Sequence, residues 1–136
     1  MAEAKQAIVK KAAPKKKKAK VSLKKGVVYV NATYNNTIIS IADSSGNVLA
    51  SSSAGRMGFK GPKKSTPYAA GVVVKALAEF VKNSGLQQVE VIIKGVGMGR
   101  EASIRGLSGL GLQVLSIKDR TPVPHNGPRA PRPRRI

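Results

Sequence analysis

The chain has 136 residues, a formal net charge of +19 and no cysteine, so disulfides and thiolate metal sites are excluded and there is room for one folded domain rather than two. The charge is concentrated at the ends: residues 1–25 carry +9, residues 26–119 carry +5 and residues 120–136 carry +5. The longest uncharged run, Gly26 to Ala42, is broken by six Asn, Thr and Ser side chains, so no membrane span is expected, and no apolar segment near Met1 suits a signal peptide. A small domain with two basic arms implies a polyanionic partner.

In chain order, residues 1–25 are expected to be disordered, because KKAAPKKKKAK has no apolar periodicity to offset the entropy of ordering. Lys15, Lys16, Lys17 and Lys18 admit three readings: a solubilising tail, a targeting run, or an arm that orders along phosphate backbones. The same sign bias at the other end of the chain favours the third. Glu3 and the lack of arginine argue against a mitochondrial presequence. Val28, Val30 and Ala32 alternate with polar positions, Ile39 and Ile41 share a face, and Val48 to Ala50 follow the turn Ser44-Ser45-Gly46-Asn47; this predicts a three-stranded antiparallel meander. A basic loop spans Ser51 to Ser65. Thr66 as N-cap and Pro67 at the first helical position open a helix that runs to about Asn83 and stops at Gly85. Its polar stripe of Tyr68, Gly71, Lys75, Glu79 and Lys82 is narrow, which predicts a packed helix with Phe80 in the core, as Tyr29 is on the first strand.

Val89 to Ile93 is nearly continuous apolar sequence, which predicts a strand covered on both faces. A glycine-rich turn, a short helix from about Arg100 to Leu107 and a last strand from Leu112 to Ile117 complete the order βββαβαβ. The expected fold is α/β, a mixed five-stranded sheet with right-handed crossovers in a ribonuclease H-like arrangement. Residues 26–119 form this single domain, and 120–136 form an Arg/Pro-rich tail. Such an arrangement does not assign an activity.

No catalytic set is visible. Asp43, Glu79, Glu90, Glu101 and Asp119 are dispersed, with Glu101 placed to pair with Arg105 one helical turn on, and the first strand carries none of the carboxylates a two-metal nuclease needs. His125 is the only histidine and lies in a basic tail, with no elbow motif to present a serine nucleophile. No metal, cofactor or small-molecule substrate is expected. GVGMGR has the strand–glycine–helix layout of a phosphate loop, but Arg100 stands where a dinucleotide fingerprint needs its third glycine, and no Gly-Lys-Ser/Thr follows. Two readings remain: a tight turn, or the backbone amides of Gly97 and Gly99 meeting an RNA phosphate with Arg100 adding a fork of donors. With five aromatic residues in all, stacking cannot be the main mode of binding. Phe59 in the basic loop is read as a local packing residue first and a stacking residue second. Affinity is expected from phosphates and selectivity from the shape of a folded RNA.

Ser53-Ala54-Gly55 with GFKGPKKSTPYAA (Gly58 to Ala70), ATYNNTIISIAD (Ala32 to Asp43), GMGREASIRGL (Gly97 to Leu107) and TPVPHNGPRAPRPRR (Thr121 to Arg135) together resemble the universal small-subunit ribosomal protein eleven family over nearly all of residues 26–136. The PHNG tail is similar to the bacterial and organellar branch. Val96 and Met98 stand where the family usually has prolines, Gly71 where glutamine is common, and Pro128 where cysteine is common. The resemblance implies a component of the small-subunit platform, on cytoplasmic rather than organellar ribosomes. It would bind small-subunit rRNA and border the messenger exit and the Shine–Dalgarno site, next to ribosomal proteins seven and eighteen. It also implies three RNA-facing parts: the loop Gly58–Ser65 with Phe59, Lys60, Lys63 and Lys64; the turn Gly97–Arg105 with Gly97, Gly99, Arg100 and Arg105; and the tail Pro124–Arg135 with His125, Asn126, Arg129, Arg132, Arg134 and Arg135. Arg56, in the same basic loop, joins them by its charge. The alternative from charge alone is a nucleic-acid chaperone without a fixed address.

The arms carry +14 of the +19 charge, so a chain trimmed to residues 26–119 is expected to stay folded but lose most of its RNA affinity. Filter binding of the trimmed and full chains at matched salt checks this; equal affinity would make the arms solubility tails.

Overall fold

The computed structural model describes residues 22–133. Its elements are β1 (Lys25–Ala32), β2 (Thr37–Ala42), β3 (Val48–Ser53), a 3-10 turn (Gly61–Ser65), α1 (Pro67–Ser84), β4 (Gln88–Lys94), α2 (Gly99–Gly109) and β5 (Gln113–Asp119). The strands form one sheet in the order β3-β2-β1-β4-β5, with β2 antiparallel to both neighbours and β4 parallel to β1 and β5. This is the expected mixed α/β arrangement. Local chemistry sets the helix ends: the Thr66 hydroxyl accepts from Ala69 N at 3.3 Å, Pro67 needs no partner, and Gly85 closes α1 at φ 70°.

The crossovers from β3 to β4 and from β4 to β5 progress in the same direction across the sheet. With the same hand they place α1 and α2 side by side on one face. Glycine allows the close approach of the two helices, since a Cβ on Gly106 would meet Val74 at 3.1 Å. The core follows from register. Val28 lies between Ile41 and Val91, Val30 between Ile39 and Ile93, and this buried surface meets Val73, Val74, Leu77 and Leu107 from the helices. Each such side chain contributes about 1.5–3 kcal/mol by leaving water.

The one-sided helix layer corrects two sequence expectations. Tyr29, in register with Ser40 and Ile92, points to the opposite face and is 36% exposed rather than in the core. That face has no helix over it among the described residues, so β4 is not sandwiched, although its neighbours still bury Ile92. A continuous apolar run signalled burial of each residue without showing what would cover it. Phe80 is half-buried against the core, close to expectation.

Backbone pairing also continues past the limits that charge suggested. Leu23 packs on the core and its N–H donates to Ser84 O at 3.0 Å, Lys24 O accepts from Gln87 and Gln88, and Arg120 N donates to Ile93 O at 2.8 Å. The reason is that charge runs mark where a chain becomes basic, whereas hydrogen bonds mark where it stops pairing. A chain of residues 22–121 is therefore expected to be more stable than one of 26–119 by at least about 2 kcal/mol, a Tm difference on the order of 10 °C. Thermal melts of the two at equal salt decide it; coincident melts would show that these end contacts contribute nothing.

Candidate nucleic-acid interface

Because β1, β3, β4 and β5 run the same way, the segments that leave their carboxyl ends meet at one edge of the sheet. These are the β1–β2 turn, the basic loop after β3, the glycine turn after β4 and the start of the C-terminal tail. Hydrogen bonds tie them together: Ala54 N to Thr37 O at 3.1 Å, Gly97 N to Ala32 O at 2.8 Å, and Gly95 N to the Thr121 hydroxyl at 3.2 Å. In open α/β sheets this is the edge where ligands bind. The three parts singled out from the sequence, far apart along the chain, are brought together here.

Within the loop the cations differ. Lys60 and Lys63 are exposed on and beside the 3-10 turn, which has no acidic residue in its first turn. Lys64 is half-buried, its stem 3.8 Å from the position of a Cβ on Gly55. Arg56 folds back, its guanidinium donating to Ser51 O at 3.2 Å on the edge strand. Phe59 is half-buried against the core and meets Tyr68 edge to face, ring centroids 6.0 Å apart, which satisfies the packing reading. Tyr68 and Tyr34, 74% and 76% exposed, are the aromatics that face solvent at this edge. Local pattern does not single them out: Tyr68 falls on the polar stripe of α1, and Tyr34 lies between β1 and β2.

In the glycine turn the tight-turn reading accounts for the geometry. Gly97 N–H is taken by Ala32 O, and a Cβ on Gly97 would overlap the Thr33 carbonyl. Gly99 lies where a Cβ would collide with the Thr37 hydroxyl, so both glycines are needed for close approach. No side chain caps α2, whose N-terminus, beginning at the buried Gly99, lies at this edge. Arg100, expected to reach RNA, is turned inward: it donates to Asp119 at 2.5 Å, to Gly95 O and to the Thr121 hydroxyl. The Asp119 carboxylate also accepts from the Thr121 hydroxyl at 2.6 Å and from its N–H at 2.9 Å. These five groups form a clasp that fixes where the tail leaves the sheet. Hydrogen bonds from Thr121, then from Arg100, hold the Asp119 carboxyl well below the usual carboxylate range.

A family model for ribosomal protein S11 matches residues 26–135, every element from β1 to the tail. The chain belongs to the ribosomal protein S11 family. Its role is that of a structural, rRNA-binding component of the small ribosomal subunit, in contact with rRNA and other ribosomal proteins. Within that family frame the remaining candidates are placed as follows. Arg105 is exposed on α2 and only loosely paired with Glu101, at 3.7 Å. His125, Asn126, Arg129 and Arg132 are all exposed on the tail beyond the clasp, Asn126 with φ 58°. Lys15, Lys16, Lys17, Lys18, Arg134 and Arg135 lie outside the described residues.

Three of the acidic groups have defined partners of their own. Asp43, in the β2–β3 turn at the far edge of the sheet, accepts from the Asn47 side chain and the N–H groups of Asn47 and Ser45, which lowers its pKa. Glu90 pairs with Lys118 at 3.5 Å on the helix-free face. Asp119 is neutralised by Arg100.

Because the folded pKa of Asp119 is depressed, its contribution to stability is complete above the ordinary carboxylate pKa of about 4 and is lost as pH falls through the lower folded value. Asp119→Asn is expected to lower Tm by a constant amount from pH 7 to about pH 5, with the gap to the parent chain closing below about pH 4. Melts of both chains across this range test it; a gap that does not change with pH would mean the carboxylate charge is irrelevant.

Proposed function

We propose that this family member is a component of the small-subunit platform, on cytoplasmic ribosomes of bacterial type, bordering the messenger exit and the Shine–Dalgarno site beside ribosomal proteins seven and eighteen. The observation that carries its mode of binding is the convergence of loop, α2 N-terminus and tail at one edge of the sheet. Lys60, Lys63 and Lys64 supply point charges for phosphates, the first-turn amides of α2 supply fixed donors, and Arg105, His125, Asn126 and the tail arginines extend the contact along the RNA backbone. Arg100 acts one step back by directing the tail. Affinity comes mainly from counterion release, and selectivity from a rigid edge whose three parts must fit one RNA surface together. The Lys-rich arm adds positive charge.

Replacing Lys60, Lys63 and Lys64 with Ala should reduce the salt slope of binding to platform rRNA by roughly 0.7–0.9 per contact, about 2–3 in all. The parent chain should discriminate platform rRNA from an unrelated RNA of equal length at moderate salt and co-sediment with small subunits after a high-salt wash. Equal affinity for both RNAs, with loss from subunits in the wash, would instead describe a nucleic-acid chaperone without a fixed address.

A further inference from the structure

We infer that Tyr68 is a stacking platform for an unpaired RNA base, held ready by Phe59. The inference rests on the rRNA-binding reading above and specifies which part of an RNA the loop recognises. Tyr68 is the second residue of α1, a helix otherwise notable for its buried positions, yet it is 74% exposed. Its backbone is held by the Thr66 cap and by Pro67, so the ring projects from a rigid point.

The Phe59 ring, anchored on the core, meets Tyr68 at 6.0 Å between centroids and an interplanar angle of 79°. An edge-to-face contact of this kind restrains the tyrosine while leaving most of its surface open. A restrained ring loses less side-chain entropy when a base stacks on it, which is the advantage of preorganisation. Tyr34 is equally exposed but has no aromatic neighbour to brace it.

Charge supports the same occupant. Phe59 and Tyr68 bracket the 3-10 turn, so the braced ring and the cations Lys60, Lys63 and Lys64 come from one short segment with no carboxylate in it. A ring beside several cations matches a nucleotide, whose base has a π face and whose phosphate is an anion. The base must be unpaired, in a loop or bulge, because bases inside a duplex already stack on one another.

The test uses the full chain in filter binding to a platform rRNA hairpin with an unpaired loop and to the same stem closed as a continuous duplex. Variants are Tyr68→Ala, Tyr68→Leu and Tyr68→Phe, with circular dichroism melts to confirm folding. Loss of a base stack should weaken binding to the looped RNA by roughly 5- to 150-fold in the Ala and Leu variants, with the salt slope and duplex binding unchanged. Tyr68→Phe should retain affinity within about threefold, since the π face is kept. Leu against Phe decides the matter even if Ala lowers stability, because both fill space and only Phe stacks. If the triple lysine variant lowers the salt slope while Leu and Phe bind the looped RNA alike, stacking is overturned and Tyr68 falls to a protein neighbour or to solvent. If neither the lysines nor Tyr68 affect binding, it is the placement of the loop on RNA that fails.

Discussion

The edge at which the loop, the glycine turn and the tail converge depends on how closely the turn after β4 lies against the end of β1. Gly95 has φ 101°, and a Cβ there would overlap the Ala32 carbonyl; Gly97 is equally close to Thr33, and Gly99 to Thr37. Any side chain at these points would push the turn outward. α2 would lift from Ala70 and Val74, and Gly95 would move out of reach of Thr121. The position of α2, the clasp and the departure of the tail are therefore consequences of one backbone-to-backbone approach. Val96 and Met98 occupy the alternate positions and are exposed, so the tight packing is carried by the glycines alone.

Electrostatics is organised around the same edge. A net charge of +19 would work against any compact state if it were spread through the fold, but most of it lies in the terminal arms. Inside the domain three carboxylates have basic partners. Asp119 holds Arg100, Glu101 faces Arg105 and Glu90 faces Lys118. Those pairs are partly or largely exposed, and they matter less for stability than for what they leave over. Lys60 and Lys63 are exposed and outside any such pair.

Binding divides into a rigid part and an extended part. The loop, the α2 N-terminus and the clasped root of the tail have their geometry before RNA arrives, so their ordering cost is met by folding. The exposed tail beyond Thr121 has no hydrogen bond back to the domain among the described residues, so under the proposed function its arginines would take their positions from RNA. Such a division gives shape selectivity at the root and added affinity along the tail. Arg100, bonded to Asp119, Gly95 O and Thr121, fixes where the tail departs.

Much of this was legible in the chain itself. Alternating Val28, Val30 and Ala32, the Thr66-Pro67 start, the Gly85 stop and the run from Val89 to Ile93 placed the elements, because periodicity and capping are local properties. The separation of basic arms from a nearly balanced domain, together with motifs such as GFKGPKKSTPYAA, pointed to rRNA without any coordinates. Contacts between distant segments were not legible. That Arg100 turns to Asp119, that Gly97 donates to Ala32 and not to a phosphate, that Tyr29 faces away from the helices, and that Tyr68 stands on Phe59 all depend on strand order, register and the shared direction of the two crossovers. Composition and spacing establish which groups are available for phosphate and base; only the tertiary structure decides which are already occupied, because hydrogen bonds and close packing between distant segments exist only once the sheet has formed.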